Sequence, residues 1–206
     1  MAPVKLTYFK ATGIGEHIRY LLSYGGVEFE DFRVSTNMDE FAKMKDKLPL
    51  GQLPVLEIEG KKLFHAVSIA RFLGNRFNLV GDDEWDRVTC DLAADTITDL
   101  RMALAPFAYE KNEEVKKQKR DEALTKAKYF VDKLEGFLAK NGGHFLKDEK
   151  LSWADIKLAA IIPYLIHMTG GEDIFAEAPK IKALKAKVDA LPAISKYLAN
   201  RPNEAF

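Results

Sequence analysis

Leu48-Pro49-Leu50-Gly51-Gln52-Leu53-Pro54-Val55-Leu56-Glu57 is the stretch that decides the fold of this chain. Val55 to Ile58 reads as a short apolar strand, with Pro54 at its entrance. Proline brings no N–H to a ladder and is excluded from central strands. A cis-proline turn resolves the conflict and exposes the N–H and C=O of Leu53 to an extended, peptide-like ligand. Earlier, Lys5-Leu6-Thr7-Tyr8-Phe9 reads as another strand, with Tyr8 near its end and Gly13 and Gly15 just beyond. A phenol at a strand terminus beside a flexible turn is well placed to meet a ligand. Together the two stretches point to a site that holds a small peptide and a phenol that acts on it.

Working outward, Gly15–Tyr24 has helical spacing through Ile18, Leu21 and Leu22, and Phe29–Val34 alternates like a half-buried strand. Asn37 precedes an amphipathic stretch, with Glu40 three residues on as its capping-box partner. Val55–Ile58 and Lys62–Phe64 flank Glu59-Gly60, a compact hairpin turn, and Ser68–Phe77 returns to helix. The order β-α-β-α-β-β-α reads as a sheet of mixed direction with helices on its faces. From Glu84 onward the pattern is helical: about Glu84–Tyr109, Glu113–Lys140, Trp153–Met168, Pro179–Leu191 and Ala193–Asn200. Asn141-Gly142-Gly143 suits a helix end, Ser152-Trp153-Ala154-Asp155 a capping box, and Pro192 a stop. The expected organisation is a small α/β domain over residues 1–78, a short linker, and an all-helical domain over residues 84–206.

Composition narrows the function. Lysine plus arginine and aspartate plus glutamate number 31 each in 206 residues, so the basic surplus of a nucleic-acid binder is missing. Lys116-Lys117-Gln118-Lys119-Arg120 is flanked by Glu113, Glu114, Asp121 and Glu122 and reads as a solvated helix face. No apolar run approaches the roughly 20 residues of a membrane span, and the first residues lack a signal-peptide pattern. One cysteine, Cys90, allows no intrachain disulfide and favours a cytoplasmic protein. His17, His65, His144 and His167 show no metal-ligand spacing, and no phosphate-binding glycine loop occurs.

The strings Lys5 to Phe9, Glu16 to Tyr20, Leu48 to Glu57, Ile69-Ala70-Arg71-Phe72-Leu73, Ser152 to Asp155 and Leu191-Pro192-Ala193 resemble, in this order, a cytosolic glutathione transferase, most of all its sigma class. They run nearly end to end. The resemblance implies a thioredoxin-like N-terminal α/β domain, an all-α C-terminal domain and a homodimer with each active site near the subunit interface. It implies glutathione as co-substrate, without a metal, and a hydrophobic electrophile as second substrate.

Glutathione attacks as its thiolate, whereas a free thiol titrates near roughly 8.5. In tyrosine-type members the phenol stays protonated and donates a hydrogen bond to the sulfur, and Tyr8 matches that position. Backbone groups of Leu53, ahead of what resembles the family's cis-Pro54, would pair with the cysteinyl part of glutathione. Lys45 matches a cation near the glycine carboxylate, Gln52 a polar contact to the tripeptide, and Phe41 an apolar wall where tryptophan is usual. Asp99, in Asp95-Thr96-Ile97-Thr98-Asp99, resembles the acid that reaches across the dimer to the γ-glutamyl ammonium. Asp155 is expected to be a structural cap. Phe107, Met102, Ala105 and Tyr109 are split between helix core and electrophile pocket.

Two departures bear on activity. His65 and Ala66 stand where sigma-class chains read Gln-Ser, so the hydroxyl that bonds the γ-glutamyl carboxylate is missing. Such a bond is worth about 1.5–3 kcal/mol, and His65 offers a replacement donor or, at low pH, a cation. Ile14 replaces an arginine found near the tyrosine in some members, so thiol activation should lean more heavily on Tyr8. The leading expectation is conjugation of glutathione to hydrophobic electrophiles such as lipid-derived carbonyls, or prostaglandin isomerisation, which the family also carries out. The alternative is a low-activity ligand-binding or crystallin-like scaffold, favoured by His65-Ala66 and Phe41 and opposed by Tyr8. Cys90 lies far from the position of the nucleophile in cysteine-type relatives and reads as a packing residue.

Overall fold

A computed structural model gives the architecture of residues 3–203. The strands are β1 (Val4–Phe9), β2 (Phe29–Val34), β3 (Val55–Ile58) and β4 (Lys61–Phe64). The helices of the first half are α1 (Glu16–Tyr24), α2 (Met38–Lys45) and α3 (Ala66–Arg76), with a 3-10 turn at Gly13–Gly15 before α1. The sheet runs β2-β1-β3-β4. β2 is parallel to β1, β3 antiparallel to β1, and β4 antiparallel to β3. A parallel pair needs a crossover, which α1 supplies, whereas β3 and β4 need only the tight turn at Glu59-Gly60. The expected order and mixed direction are both present, in a thioredoxin-like domain.

Each first-half element has a local cause. Leu6, Thr7 and Tyr8 are buried in succession along β1, as befits a central strand covered on both faces, and Leu6, Val55, Leu56 and Ile58 form the buried middle of the sheet. α1 buries Ile18, Leu21 and Leu22, and α3 buries Ile69, Ala70 and Leu73. Asn37 Oδ1 accepts from the Asp39 and Glu40 amides at 2.9 and 3.3 Å and starts α2.

The later helices are α4 (Glu84–Ala108), α5 (Glu113–Lys140), α6 (Trp153–Met168), α7 (Pro179–Asp189) and α8 (Pro192–Asn200). α5 ends where Gly143 N–H bonds back to Leu138 C=O at 2.8 Å. α6 opens with both halves of the predicted capping box. Asp155 does more than the cap requires, because its Oδ1 also accepts from the Phe145 amide at 3.0 Å. No helix among the described residues is long and apolar enough to cross a membrane.

The chain forms two compact units. One comprises Leu79–Val188, and the other joins the residues up to Asn78 to those from Asp189 onward. The helical domain expected over residues 84–206 therefore parts from this division at its last helix, since α8 packs on α1. The reason is polar as much as apolar. Tyr197 Oη donates to the Glu16 carboxylate at 3.1 Å, Arg201 pairs with the same carboxylate, and Tyr20 Oη donates to Asp189 at 3.1 Å. These partners lie far apart in sequence, so helical periodicity alone grouped α8 with its neighbours along the chain.

Candidate active site

The strand register builds the site. Thr7 pairs with Val55, so one step further along the ladder Tyr8 stands level with Pro54. Val55 pairs with Phe64, so the same step sets His65 level with Pro54 on the other side. Three of the residues singled out from sequence thus line one end of three adjacent strands. The Leu53–Pro54 peptide is cis.

Tyr8 is 7% exposed, and its ring lies across the turn that leads into α1. Its hydroxyl accepts from the Ile14 amide at 3.0 Å. A Cβ at Gly13 would come 2.5 Å from that hydroxyl, and one at Gly15 would come 2.3 Å from the ring. Any side chain at these two positions would displace the phenol. Beneath it runs the buried side chain of Arg19, with its guanidinium carbon 5.6 Å from the Tyr8 ring centroid. Arg19 donates to the carbonyls of Ala11 and Phe9 at 2.7 and 3.3 Å, which fixes the chain as it leaves β1. It also pairs with Glu16 at 3.1 Å and with Asp31 at 3.0 Å.

Around this centre the remaining candidates fall as follows. Phe41 is buried and packs on Phe9, ring centroids 5.0 Å apart, and Phe9 in turn meets the Tyr8 ring edge-on. Lys45 ends α2 and lays its aliphatic stem over Gly51, 3.0 Å from where a Cβ would stand, which brings it beside the Gln52-Leu53 segment. Gln52 is exposed and Leu53 half-buried. His65 adopts φ +66° and ψ 114°, a conformation that L side chains rarely take and that gathers at ligand-binding turns. It caps α3 without a side-chain hydrogen bond, so the first-turn amides of α3, starting at Ala66, receive no side-chain cap from it. Asp99 belongs to the other unit and is exposed on α4.

In that unit Phe107 is buried, while Met102 and Tyr109 are exposed, with the Tyr109 and Tyr164 hydroxyls hydrogen-bonded to each other. Cys90 is fully buried, and that burial pushes its thiol up to about 12, against a smaller opposing influence of the Ser152 side chain. It is therefore a protonated packing residue. Among the described residues no group of three or more His, Cys, Asp or Glu has a geometry that could hold a metal.

Sequence reasoning missed the ionic cluster of Glu16, Arg19, Asp31 and Arg201. Its one local signal was an oppositely charged pair three residues apart, Glu16 and Arg19, at the start of α1 on either side of Ile18. Burial raises the Tyr197 and Tyr20 phenols above their ordinary range, by desolvation first and then by the facing carboxylates of Glu16 and Asp189 respectively.

A thioredoxin-like unit with a tyrosine and a cis-proline at one sheet end, continued by a helical unit, defines a two-domain thiol-peptide-binding class. Comparison with known proteins makes this particular. Residues 4–75 match the glutathione S-transferase N-terminal domain, and residues 98–201 the glutathione S-transferase C-terminal domain. A glutathione S-transferase of Anopheles gambiae is 34% identical over 206 residues, 98% of each chain. The structure of prostaglandin synthase D of Nilaparvata lugens superposes with a TM-score of 0.89 at 35% identity, covering 97% of this chain and 98% of that one. Monomeric Na-GST-3, a glutathione S-transferase of the hookworm Necator americanus, superposes at 0.85 with 32% identity over the whole of both chains. The chain belongs to the glutathione S-transferase family.

Proposed function

We propose that the protein is a tyrosine-type glutathione transferase of the sigma class, working in the cytosol as a homodimer. The observation that carries this is the placement of Tyr8 by Gly13, Gly15 and the Ile14 amide, level with Pro54 at the open end of the sheet. The Ile14 amide fills an acceptor site of the phenol, whose single proton then serves as the donor to sulfur. Donation to the thiolate favours ionisation over the neutral thiol. The thiolate sulfur attacks the electrophilic carbon, a C–S bond forms, and the displaced electron pair leaves with the leaving group or moves onto the conjugated acceptor. In prostaglandin isomerisation, as in conjugation, Tyr8 would stabilise the thiolate. The relatives named for conjugation and for prostaglandin synthesis support both reactions above the low-activity scaffold.

Glutathione would lie with its cysteinyl backbone against Leu53, its glycine carboxylate near Lys45 and Gln52, and its γ-glutamyl carboxylate at the first turn of α3. Phe41, seated behind Phe9, gives apolar backing, and His65 closes the rim. A second copy is supported by Trp85, Val88 and Leu92, an exposed apolar stripe at helical spacing on α4. Asp99 lies two turns on along the same face, as a residue presented to a partner copy would. The monomeric hookworm relative makes sedimentation of the purified protein worth doing early.

The test is an ultraviolet difference titration of bound glutathione near neutral pH, in the native chain and in Tyr8→Phe. A saturable thiolate signal is expected from the native chain. The variant should raise the pKa of the bound thiol by about 1–2 units, the equivalent of about 1.5–3 kcal/mol. Equal ionisation in both proteins would refute the role given to Tyr8.

A further inference from the structure

Besides Glu16 and Arg19, α1 buries a third polar side chain, one that the transferase chemistry leaves unused. His17 is 1% exposed, and its Nε2 lies 3.3 Å from the carbonyl oxygen of Ala66, 49 positions further along the chain. A carbonyl can only accept, so the imidazole presents an N–H at Nε2 and the tautomer is set by this contact. Ala66 is the first residue of α3, and the residue before it holds a rare backbone conformation without a side-chain cap. The turn is thus gripped from below, by a residue one position from Glu16 and two from Gly15, which presses on the Tyr8 ring.

We infer that His17 is a positioning residue for the binding of glutathione's γ-glutamyl carboxylate. The inference rests on the reading of the α3 first turn as the place where that carboxylate binds. Ala66 has no hydroxyl to offer, so the carboxylate depends on backbone amides and on the direction in which they point. Holding the Ala66 carbonyl inward turns the following peptide N–H toward the ligand and keeps this turn in step with the turn that seats Tyr8. One helix then sets both the sulfur end and the carboxylate end of the bound peptide.

The experiment compares His17→Phe, which fills the volume without a donor, with His17→Gln, which restores an N–H at similar reach. Three quantities are read: the glutathione Kd by calorimetry, kcat at saturating glutathione, and deuterium uptake of the ligand-free segment over residues 66–69. In His17→Phe the Kd should rise about tenfold, the size expected for one lost hydrogen bond acting on an ionic contact. Uptake at 66–69 should quicken while kcat changes less than about twofold, because Tyr8 is untouched. His17→Gln should recover most of both losses. Should His17→Phe fail to fold, His17→Asn takes its place, since its shorter side chain withdraws the donor from Ala66. Native affinity and native uptake in the donor-free variant overturn the inference, as does a Gln variant no better than Phe. If the native protein binds no glutathione, the transferase reading fails instead, and the uptake comparison alone judges whether His17 holds the turn.

Discussion

Asp155 in the helical unit and Glu16 in the other are both carboxylates at about 1% exposure or less, yet they keep different company. Asp155 accepts from the Ser152 amide and hydroxyl, each at 2.7 Å, and from the Phe145 amide at 3.0 Å, with the His144 imidazole 3.6 Å away. All of these lie within eleven residues along the chain. Glu16 instead meets Arg19 three residues on, then Tyr197 and Arg201 at separations of 181 and 185. A buried carboxylate satisfied by local neutral donors organises one helix start. A carboxylate satisfied by remote cations and phenols organises a tertiary unit, and here that unit also seats Tyr8. The charges nearest the chemistry therefore depend on the most distant parts of the chain.

The sharpest way to break this contrast is Glu16→Gln. Removing one partner of a buried ionic group leaves Arg19 and Arg201 without its charge, and a loss of about 3–5 kcal/mol is expected from urea unfolding. Deuterium uptake should rise in β1, α1 and α8 more than in α4 and α6; a uniform rise would mean that the two carboxylates do not serve separate units. Next in size is Asp155→Ala, which removes the capping box and strands the Phe145 amide, at about 2–4 kcal/mol. Both tryptophans, Trp85 and Trp153, lie in the helical unit, so its unfolding can be followed by their fluorescence. That signal should shift strongly in Asp155→Ala; a shift no larger than for Ser152→Ala would reduce Asp155 to an ordinary cap.

The smallest effect separates the units by pH. Cys90 has its thiol raised from 9.0 to about 12, mainly by burial, so the folded form holds a proton that the unfolded chain releases. The stability this represents is whole below about pH 9 and falls as pH climbs from there toward 12, by about 1.4 kcal/mol per pH unit. Tyr20 and Tyr197, raised from 10.0, have the same sign but begin to cost stability about one unit higher. Between pH 9 and 10 the helical unit should weaken first, and Cys90→Ala should remove that early slope. An unchanged slope in Cys90→Ala would place the titrating group elsewhere.

What could be read from sequence follows the same division. The capping box of Ser152 and Asp155 was legible because both partners fall within one helical turn. The succession of strands and helices along the chain, the cis bond at Pro54 and the place of Tyr8 near the end of β1 were legible because glycine, proline and short apolar runs act over a few residues. The pairing of Tyr8, Pro54 and His65 at one sheet end needed the register, which no single strand encodes. The contacts of His17 with Ala66, of Tyr20 with Asp189 and of Glu16 with Arg201 leave no periodic trace at all. Phe41, expected as an apolar wall, packs against Phe9, a partner that no local pattern names.

The helical unit is an insertion into the other, and this has a consequence for the order of synthesis. As the polypeptide leaves the ribosome, β1 and α1 emerge ahead of the inserted helices, but Tyr197 and Arg201 follow only after the whole of α4 to α7 has appeared. Domains generally fold as units while the chain grows, and here the inserted helices can finish before the segment that precedes them. Closing so long an intervening loop adds little entropy beyond closing a short one, so the delay is one of waiting rather than of energy. A nascent chain stalled before Pro192 would carry the tyrosine, the proline turn and the sheet, with Glu16 and Arg19 still lacking the arginine and phenol that complete them.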